Sequence, residues 1–428
     1  MSKKSNAADY RKALEVGRPP NIAKLFPSSQ ALLVSGKVID RAMLAKGKAI
    51  AIAANGRSRF VIEGALKAAQ KANAALIIEI ARSEGGASAY CAVSLWNMAT
   101  FVDAACNALG ITVPVAVHAD HYGLKAPKDV GPAKVEIPSL FDAGITSIAI
   151  DASHMPDAEN LKANIELNPL VPKWAGLETE VGEIKGEEGL SSIEDALYLI
   201  QGLNAHGIRP DWIALNNGST HGLEESGQGI QVDLTAGIHQ ALARYKVSGA
   251  QHGTSGNSSD RLRAIARQTR TTKANVATAL QMVSWGLEVN DDGNANLKDG
   301  HFIKVKGEGV AEEMWAEMVA YAEGKGWKAG DYKKLNLPFE NKLMGQPREV
   351  RERMVDRVAE FVHHMITEVL NSEDTAPLAL EAILKAKSHN LGPKAKRLED
   401  PEEWTEAKLV ERAAALGGGK GPKGNFDD

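Results

Sequence analysis

The order of secondary structure is clearest in the middle of the chain, where GLETEV (176–181), DWIALNN (211–217) and KVSGAQ (246–251) are typical of buried strands. Between them lie SIEDALYLIQGLNAHG (192–207) and DLTAGIHQALARY (233–245), which are typical of amphipathic helices. Strands that alternate with helices of this length indicate parallel strands joined by helical crossovers. This stretch therefore predicts a repeating β–α unit.

The same alternation extends in both directions, from residue 49 to residue 285. Five further predicted strands complete a set of eight: AIAIAA (49–54), ALIIEIA (75–81), VPVAVHAD (113–120), SIAIDAS (147–153) and ANVATAL (274–280). Eight repeats over roughly 240 residues match the size of a (β/α)8 TIM barrel. A doubly wound open sheet would also alternate, but it usually has fewer strands and a glycine-rich phosphate turn after the first strand, which this sequence lacks. The expected fold is therefore an α/β TIM barrel with helical extensions.

The predicted barrel leaves segments at both ends of the chain. We expect an N-terminal helical extension over residues 1–48, a catalytic barrel domain over 49–330, and a C-terminal helical extension with a flexible tail over 331–428. Residues 311–325 and 346–371 are typical of long amphipathic helices. The last stretch, GGGKGPKGNFDD, has few side chains to bury and is expected to be a flexible tail.

Composition excludes several classes of protein. The chain has 428 residues, a net charge of −4 and interspersed acids and bases, which argues against a nucleic-acid-binding stripe or a polybasic membrane anchor. No apolar run approaches the roughly 20 residues of a membrane span, and the polar start lacks the apolar core of a secretory signal. Cys91 and Cys106 lie in apolar sequence, which favours buried thiols in a reducing compartment. We expect a cytoplasmic protein with no nucleic-acid or membrane partner.

Polar residues collect at the carboxyl ends of the predicted strands, where the loops of a TIM barrel surround a common mouth. His121, His221 and His252 follow three different strands, and Glu180 ends a fourth. Three histidines with a carboxylate nearby fit a catalytic zinc site that keeps one position open for substrate. A structural explanation is that each histidine is a hydrogen-bonded polar residue at a strand–loop junction. The convergence of all three at one mouth favours zinc.

The segments at the seventh and eighth strands predict a phosphate site. HGTSG (252–256) follows the seventh strand, and the eighth is expected to begin near Asn275 within KANVAT (273–278). Loops at these places commonly bind phosphate in TIM barrels. Glycines allow backbone N–H groups to approach the anion, and Ser255 and Thr278 can donate hydroxyl groups. By itself GTSG is more often a simple turn, so its position carries the prediction.

The strand ends also resemble a known family. VPVAVHADH resembles the signature VPV-x-x-H-x-DH, and SIAIDASHMP resembles SVMIDxSHLP. GLETEVGEIKGEEG resembles LE-x-E-x-G-x-x-x-GEE-x-G, STHG resembles NVHG, and QHGTSG resembles HGGSG. Five motifs in this order are similar to those of the class II, metal-dependent fructose-bisphosphate and tagatose-bisphosphate aldolases. The resemblance runs from residue 49 to residue 285, with a looser similarity in PFENKLMGQPREVRERMVDRVAEF.

Residue by residue, the resemblance implies that His121, His221 and His252 bind one catalytic zinc ion, with Glu180 joining or leaving the coordination sphere. Asp120 matches the acid/base that serves the hydroxyl group formed from the aldehyde. Glu188 matches the group that exchanges the proton on the carbon next to the ketone. The positions that match substrate and phosphate contacts are Asn55, Gly222, Gly253, Ser255, Asn275 and Thr278.

The substrate-recognition segments depart from the family pattern. Thr254 replaces the second glycine of HGGSG, and NVATA (275–279) lacks both aspartates of NIDTD. LEE (223–225) replaces the aromatic residue and lysine that usually follow the zinc-binding HG. Arg57 and Arg82, near the ends of the first two strands, are candidates for gripping an anion instead or are surface charges. The reaction class is therefore better defined than the substrate.

The resemblance implies reversible aldol cleavage of a ketose phosphate in carbohydrate metabolism such as glycolysis, with fructose 1,6-bisphosphate as the first substrate to test. An aldolase for another ketose 1-phosphate is a close variant. A second class of function is a metal-dependent isomerase or epimerase on the same barrel. A third is a non-catalytic relative that binds a sugar phosphate or a partner protein. The family also implies a homo-oligomer, dimer or tetramer, and leaves open a monovalent cation beside the zinc ion.

Overall fold

The computed structural model describes residues 7–87, 89–182, 189–218, 229–290 and 293–416. Within these ranges the strands are β1 Leu33–Val34, β2 Ala51–Asn55, β3 Leu76–Ala81, β4 Val115–Gly123, β5 Ser147–Asp151, β6 Gly176–Val181, β7 Trp212–Leu215, β8 Ser248–Gln251, β9 Thr271–Val276, β10 Leu297–Lys298 and β11 His301–Phe302. The α-helices are α1 Ala7–Gly17, α2 Pro20–Leu25, α3 Gly36–Lys46, α4 Arg59–Lys71, α5 Arg82–Gly85, α6 Met98–Leu109, α7 Val130–Asp142, α8 Asp157–Leu167, α9 Ile193–Ala205, α10 Val232–Ala241, α11 Ser259–Gln268, α12 Thr278–Ser284, α13 Glu312–Gly324, α14 Asn336–Met344, α15 Arg348–His364, α16 Ala376–Ala386 and α17 Glu406–Ala415.

Eight parallel strands, β2 to β9, form a closed barrel. Each strand pairs with its neighbours in sequence, and the ring closes because β2 also pairs with β9, with Ala51 opposite Lys273. Helices on the outer side connect the strands. This architecture confirms the predicted (β/α)8 TIM barrel.

The eighth barrel strand lies earlier than the sequence suggested. It was expected at 274–280, but β9 spans Thr271–Val276 and α12 begins at Thr278. Asn275 is therefore close to the end of the strand rather than at its start, and that prediction was wrong. The β-branched pair Thr271 and Thr272 favours an extended backbone, whereas the Ala-Leu-Gln-Met run after Thr278 favours a helix.

Small apolar side chains fill the amino-terminal half of the barrel interior. They belong to one buried cluster, which includes Ala49, Ala51, Ala53, Ile77, Ala116, Ala214, Ala250 and Trp212. Because side chains alternate along a strand, the residues two positions further on also face inward. Those residues include Glu79 after Ile77 and His118 after Ala116, so the carboxyl-terminal half of the interior is polar.

The segment before β2 closes the amino-terminal end of the barrel. β1 pairs with the first residues of β4, with Leu33 opposite Val115, before the pairing of β4 with β5 begins at His118. The Ser35 hydroxyl accepts a hydrogen bond from the Lys37 N–H and so caps α3. A Cβ atom on Gly36 would lie 2.8 Å from the Cβ of Ser147, so only glycine allows this approach. The opposite end is the one left for a site.

Elements after β9 cover the outside of the barrel. A second apolar cluster, with Trp285, Phe302 and Trp315, joins α12, the β10–β11 hairpin and α13. α13 and α15 correspond to the helices expected at 311–325 and 346–371, the latter continuing as a π-helix over Met365–Val369. Cys91 and Cys106 are buried free thiols. None of the helices in the described ranges is long and apolar enough to cross a membrane.

Candidate active site

Three of the expected metal ligands converge at the carboxyl end of the barrel. His121, near the end of β4, and His252, directly after β8, have ring centroids 4.2 Å apart. The carboxylate of Glu180, on β6, lies 3.3 Å from Nδ1 of His121 and 3.6 Å from Nδ1 of His252. The expected fourth ligand, His221, lies outside the described residues. The closed barrel thus brings together groups from three distant strands.

Neighbouring carboxylates orient both rings. Nε2 of His252 lies 2.8 Å from Oε1 of Glu178, so it donates its proton there and Nδ1 is the ring nitrogen left for a metal ion. Within the described residues that Nδ1 atom has no hydrogen-bond partner. His121 Nδ1 lies 3.1 Å from Asp151, whose other oxygen accepts two hydrogen bonds from Ser153. These contacts are the support that a metal-ligating histidine typically requires.

The local backbone also turns His121 toward the mouth. Its φ is +38°, in the left-handed region that side chains other than glycine rarely adopt. The pairing of β4 with β5 shifts register between Ala119 and Tyr122, across this residue. Such strained positions persist only where the surrounding structure holds them, and they collect at functional sites.

The electrostatic field at this point favours positive charge. Burial and the neighbouring His121 lower the pKa of His252, but the carboxylates of Glu180 and Glu178 outweigh them and raise it to about 9. Burial likewise lowers the pKa of His121, yet Glu180, Asp120 and Asp151 raise it well above its usual value. A divalent cation would satisfy the same carboxylates.

The described residues include three groups that could hold a metal ion, and two of them share His121. The potential ligand atoms of Asp120, His121 and His252 all lie within 4.8 Å of one another, as do those of His121, Asp151 and Glu180. Imidazole nitrogens and carboxylate oxygens are the ligands of catalytic zinc sites. The residues present therefore fit such an ion.

Asp120 is held in its ionised form beside these groups. Its Oδ1 atom lies 3.2 Å from Nζ of Lys273, and both of its oxygens accept hydrogen bonds of 3.0 Å from Nδ2 of Asn275. Burial raises the pKa of Asp120, but Lys273 together with His121 and His252 lowers it below its usual range. An ionised, hydrogen-bonded carboxylate at the mouth is able to accept a proton from a substrate.

With this geometry in place, comparison with known proteins identifies the family. The sequence model of the family described as fructose-bisphosphate aldolase class-II matches residues 37–375. The chain belongs to this family. The fructose-bisphosphate aldolase of Streptococcus pyogenes serotype M6 is 32% identical over 187 residues, which cover 41% of this chain and 57% of that protein. The fructose-bisphosphate aldolase of Mycoplasma pneumoniae is 33% identical over 144 residues, 32% of this chain and 44% of that protein. The chain thus matches only about half the length of these curated relatives.

Solved structures share the aldolase fold. The YdjI aldolase from Escherichia coli K12 superposes with a TM-score of 0.54 at 17% identity, covering 80% of this chain and 99% of that one. The fructose-bisphosphate aldolase of Campylobacter jejuni gives a TM-score of 0.53 at 20% identity, with coverages of 81% and 97%. These similarities extend the barrel match to nearly the full length of both solved chains.

The interior of this aldolase-family barrel contains polar residues for which sequence reasoning assigned no role. Lys273 is fully buried, with its Nζ atom 2.9 Å from Glu178 and 3.1 Å from Glu79 as well as close to Asp120. His118 places Nδ1 2.7 Å from the Ser147 hydroxyl. Burial and Lys273 lower the pKa of His118, so it is a neutral interior residue. A charged residue inside an otherwise apolar strand, such as Glu79 in ALIIEIA, was the available signal.

The expected phosphate residues are only partly brought together. Gly253 and Ser255 follow β8, and Ser255 lines a cavity of about 580 Å³ between that loop, α12 and α15. Thr278 begins α12, whereas the Asn275 amide donates to Asp120. Gly222 and Glu188 lie outside the described residues. The phosphate role of these positions stays a prediction.

The two arginines considered for an anion site are already ion-paired. Arg57 pairs with Glu84 and also donates to Gln281 at 3.0 Å. Arg82 pairs with Glu136 at 2.9 Å and donates to the Gly123 carbonyl. Both guanidinium groups therefore already pair with carboxylates of the protein, which argues against an anion-binding role for them.

Proposed function

We propose that this protein is a zinc-dependent aldolase. It reversibly cleaves a ketose phosphate, with fructose 1,6-bisphosphate the first candidate, to dihydroxyacetone phosphate and an aldehyde such as glyceraldehyde 3-phosphate. The observation that carries the proposal is the convergence of His121, His252 and Glu180 beside the ionised Asp120, at the carboxyl end of the barrel. Membership of the class II aldolase family supports the reaction class.

His121, His252 and His221 would hold one zinc ion per chain, with Glu180 as an exchangeable ligand. A bound zinc ion supplies Lewis-acid stabilisation of the negative charge that develops on the substrate oxygens, without a lysine Schiff base. Glu178 and Asp151 keep the two described imidazoles in the required orientation. A monovalent cation beside the zinc ion is a further cofactor that the family resemblance allows.

Two acid/base groups complete the proposal. Asp120 takes the proton from the hydroxyl group on the carbon that becomes the aldehyde, because its carboxylate is ionised and fixed by Lys273 and Asn275. Glu188 returns a proton to the carbon that becomes the end of dihydroxyacetone phosphate, an assignment that rests on the sequence motif alone. Substrate contacts are proposed for Asn55, Gly222, Gly253, Ser255, Asn275 and Thr278.

The nature of the aldehyde part is less defined. Thr254 is buried and its hydroxyl donates to the Gln251 carbonyl at 3.3 Å, so the altered HGTSG loop is built around this residue. Because this loop differs from the family pattern, the substrates tested should include other ketose 1-phosphates. We also propose a homo-oligomeric assembly, dimer or tetramer, as in the family.

The decisive experiment combines metal analysis with aldol cleavage on one purified sample. We expect about one zinc per chain and aldehyde release from fructose 1,6-bisphosphate or another ketose phosphate. His252→Ala should lose the zinc and lower kcat by at least about 10³-fold, since the Lewis acid is lost. His301→Ala, which changes an exposed histidine of the β10–β11 hairpin, is the matched control.

Each competing function has its own outcome in this experiment. Zinc together with solvent deuterium exchange into a ketose, but without aldehyde, would indicate an isomerase or epimerase. Zinc and sugar-phosphate binding without any turnover would indicate a non-catalytic relative. Absence of both zinc and cleavage would contradict the histidine site itself.

A further inference from the structure

Glu84 is a buried carboxylate at the carboxyl end of β3, outside the proposed zinc ligands and acid/base groups. Its Oε2 atom accepts hydrogen bonds from Nδ2 of Asn55 at 2.5 Å and from the Ala81 N–H at 3.1 Å. Its Oε1 atom accepts from Nε of Arg57 at 2.7 Å and from the Tyr90 hydroxyl at 3.2 Å. All of these neighbours are donors, so the site is built for the ionised carboxylate.

This contact fixes which way the Asn55 amide points. An ionised carboxylate only accepts hydrogen bonds, so the NH2 group of Asn55 faces Glu84 and the carbonyl oxygen Oδ1 faces away from it. Asn55 is only 4% exposed, and its Oδ1 atom accepts no hydrogen bond within the described part of the chain. A buried acceptor without a donor is rare in proteins and suggests that a ligand completes it.

The register of the barrel places this amide inside the mouth. Asn55 ends β2 and pairs with Glu79, whose carboxylate reaches Lys273 in the barrel interior. Residues paired in register on adjacent strands point to the same side of a sheet, so Asn55 faces inward as well. Ala53, two residues earlier, is opposite Asn275, which contacts Asp120. The amide therefore faces the barrel interior, as the proposed catalytic groups do.

We infer that Glu84 is a positioning residue of the ketose site, which fixes the Asn55 amide so that its carbonyl oxygen accepts a hydrogen bond from a substrate hydroxyl group. The inference rests on the proposed function, because it takes a polyhydroxylated sugar phosphate as the ligand. It also specifies the contact, since a ketone oxygen cannot donate to Oδ1 whereas a hydroxyl group can. Arg57 holds Glu84 from the other side and is itself tied to Gln281 on α12.

A double-mutant cycle tests this role. The four proteins are wild type, Glu84→Gln, Asn55→Ala and the double variant, all loaded with zinc. A glutamine can present either its oxygen or its NH2 group to Asn55, so the amide of Asn55 is no longer held in one orientation. We expect Glu84→Gln to weaken dihydroxyacetone phosphate binding by calorimetry, and to lower kcat/KM for the cleaved ketose phosphate, each about tenfold. In the Asn55→Ala background the same change should cost less than about twofold, because the group it positions is absent.

Two further variants keep the test sharp. Glu136→Gln removes a charge from another arginine–glutamate pair, the half-buried one of Arg82, without touching Asn55, and should stay within about twofold of wild type. Glu84→Asp keeps a negative charge beside Arg57 but shortens the reach to Asn55. It should show the same coupling to Asn55→Ala that Glu84→Gln shows, which separates the effect of position from that of charge.

An equal loss in both backgrounds would mean a structural role for Glu84 and would overturn the inference. Full activity of Glu84→Gln, where the wild type is active, would overturn it as well. A wild type that neither binds dihydroxyacetone phosphate nor cleaves any ketose phosphate would overturn the proposed function and this inference with it.

Discussion

At the scale of single residues, Lys273 organises the polar half of the barrel interior. It lies between three carboxyl groups, of which Asp120 and Glu178 have lowered pKa values and are ionised. The third, Glu79, differs, because burial together with the charges of Asp120 and Glu178 raises its pKa well above the usual value despite Lys273. Glu79 therefore keeps its proton to a higher pH than the other two carboxyl groups do. Carboxyl groups within reach of one ammonium ion thus have pKa values shifted in opposite directions.

This difference predicts the outcome of two matched substitutions. Glu79→Gln replaces the carboxyl group that has the raised pKa with a neutral isostere and should change the free energy of unfolding by less than about 1 kcal/mol near pH 5. Glu178→Gln removes one of the two ionised partners of Lys273 and the carboxylate that accepts from Nε2 of His252, and should cost about 3 kcal/mol. Urea denaturation measures both. Equal costs would contradict the opposite pKa shifts of the two groups.

The raised pKa of Glu79 also predicts a pH dependence. The folded state keeps this proton to a higher pH than the unfolded chain does, so the group stabilises the fold below its unfolded pKa and loses that contribution as pH rises through its folded pKa. Measured from pH 5 upward, the stability of Glu79→Gln should therefore rise relative to wild type. A difference that is constant with pH would contradict the assignment.

At the scale of elements, the segment after α16 seals the amino-terminal end of the barrel. Nζ of Lys394 lies 2.7 Å from Oδ2 of Asp40 on α3 and donates to the Ser248 hydroxyl at 2.7 Å and to the Asp211 carbonyl at 2.8 Å. Asp40 is fully buried and also accepts from the Thr272 hydroxyl. One lysine therefore links the C-terminal segment to α3, to β8 and to the residue before β7.

Removing that lysine should loosen the whole segment. Lys394→Met leaves Asp40 with only part of its compensation, because Arg41 is its remaining cation at 3.0 Å. We expect the free energy of unfolding to fall by about 3 kcal/mol in urea denaturation. Lys408→Met, which removes an exposed pair with Glu403 on the same C-terminal region, should cost about 0.5 kcal/mol or less. Similar costs for the two variants would contradict the sealing role.

At the scale of the whole molecule, the barrel mouth carries more negative than positive charge. Asp151, Glu178 and Glu180 lie with Asp120 around the two histidines, and Lys273 is the buried ammonium ion that offsets them within the described interior. Without a metal the histidines would have to be protonated to balance these carboxylates. A divalent cation would balance the same carboxylates without protonation of the histidines, so the electrostatics of the folded protein favour cation binding.

Zinc should stabilise the fold as a ligand that the unfolded chain binds less well. At a free concentration about 1,000 times the Kd, the gain in the free energy of unfolding is about 4 kcal/mol, so chelation should lower the Tm by several degrees and zinc should restore it. His252→Ala should have no zinc-dependent shift. A shift in His252→Ala equal to that of wild type would place the stabilising metal elsewhere in the chain.

Much of this arrangement could be predicted from the sequence because it depends on short-range patterns of residues. The β–α repeat, the position of Asp120 and His121 at one strand end, and the placing of Glu180 and His252 at two others all follow from periodicity and strand polarity. The start of the eighth strand could not be predicted from periodicity. Both faces of a barrel strand are buried, so its sequence shows no clean alternation of apolar and polar residues. His221, Gly222 and Glu188 remain predictions, as do the domain boundaries at 48 and 330.

By itself, the sequence determined the fold class and the position of Asp120, His121, Glu180 and His252 at strand ends, since these depend on local periodicity and on which residues end the strands. Only the tertiary structure decided which of those side chains meet. Closure of the barrel brings Lys273 to Asp120 across 153 positions of sequence, and the pairing of β2 with β3 brings Asn55 to Glu84 across 29. The raised pKa of Glu79 and the orientation of the Asn55 amide follow from such contacts, because burial and neighbouring charge act through space and not along the chain.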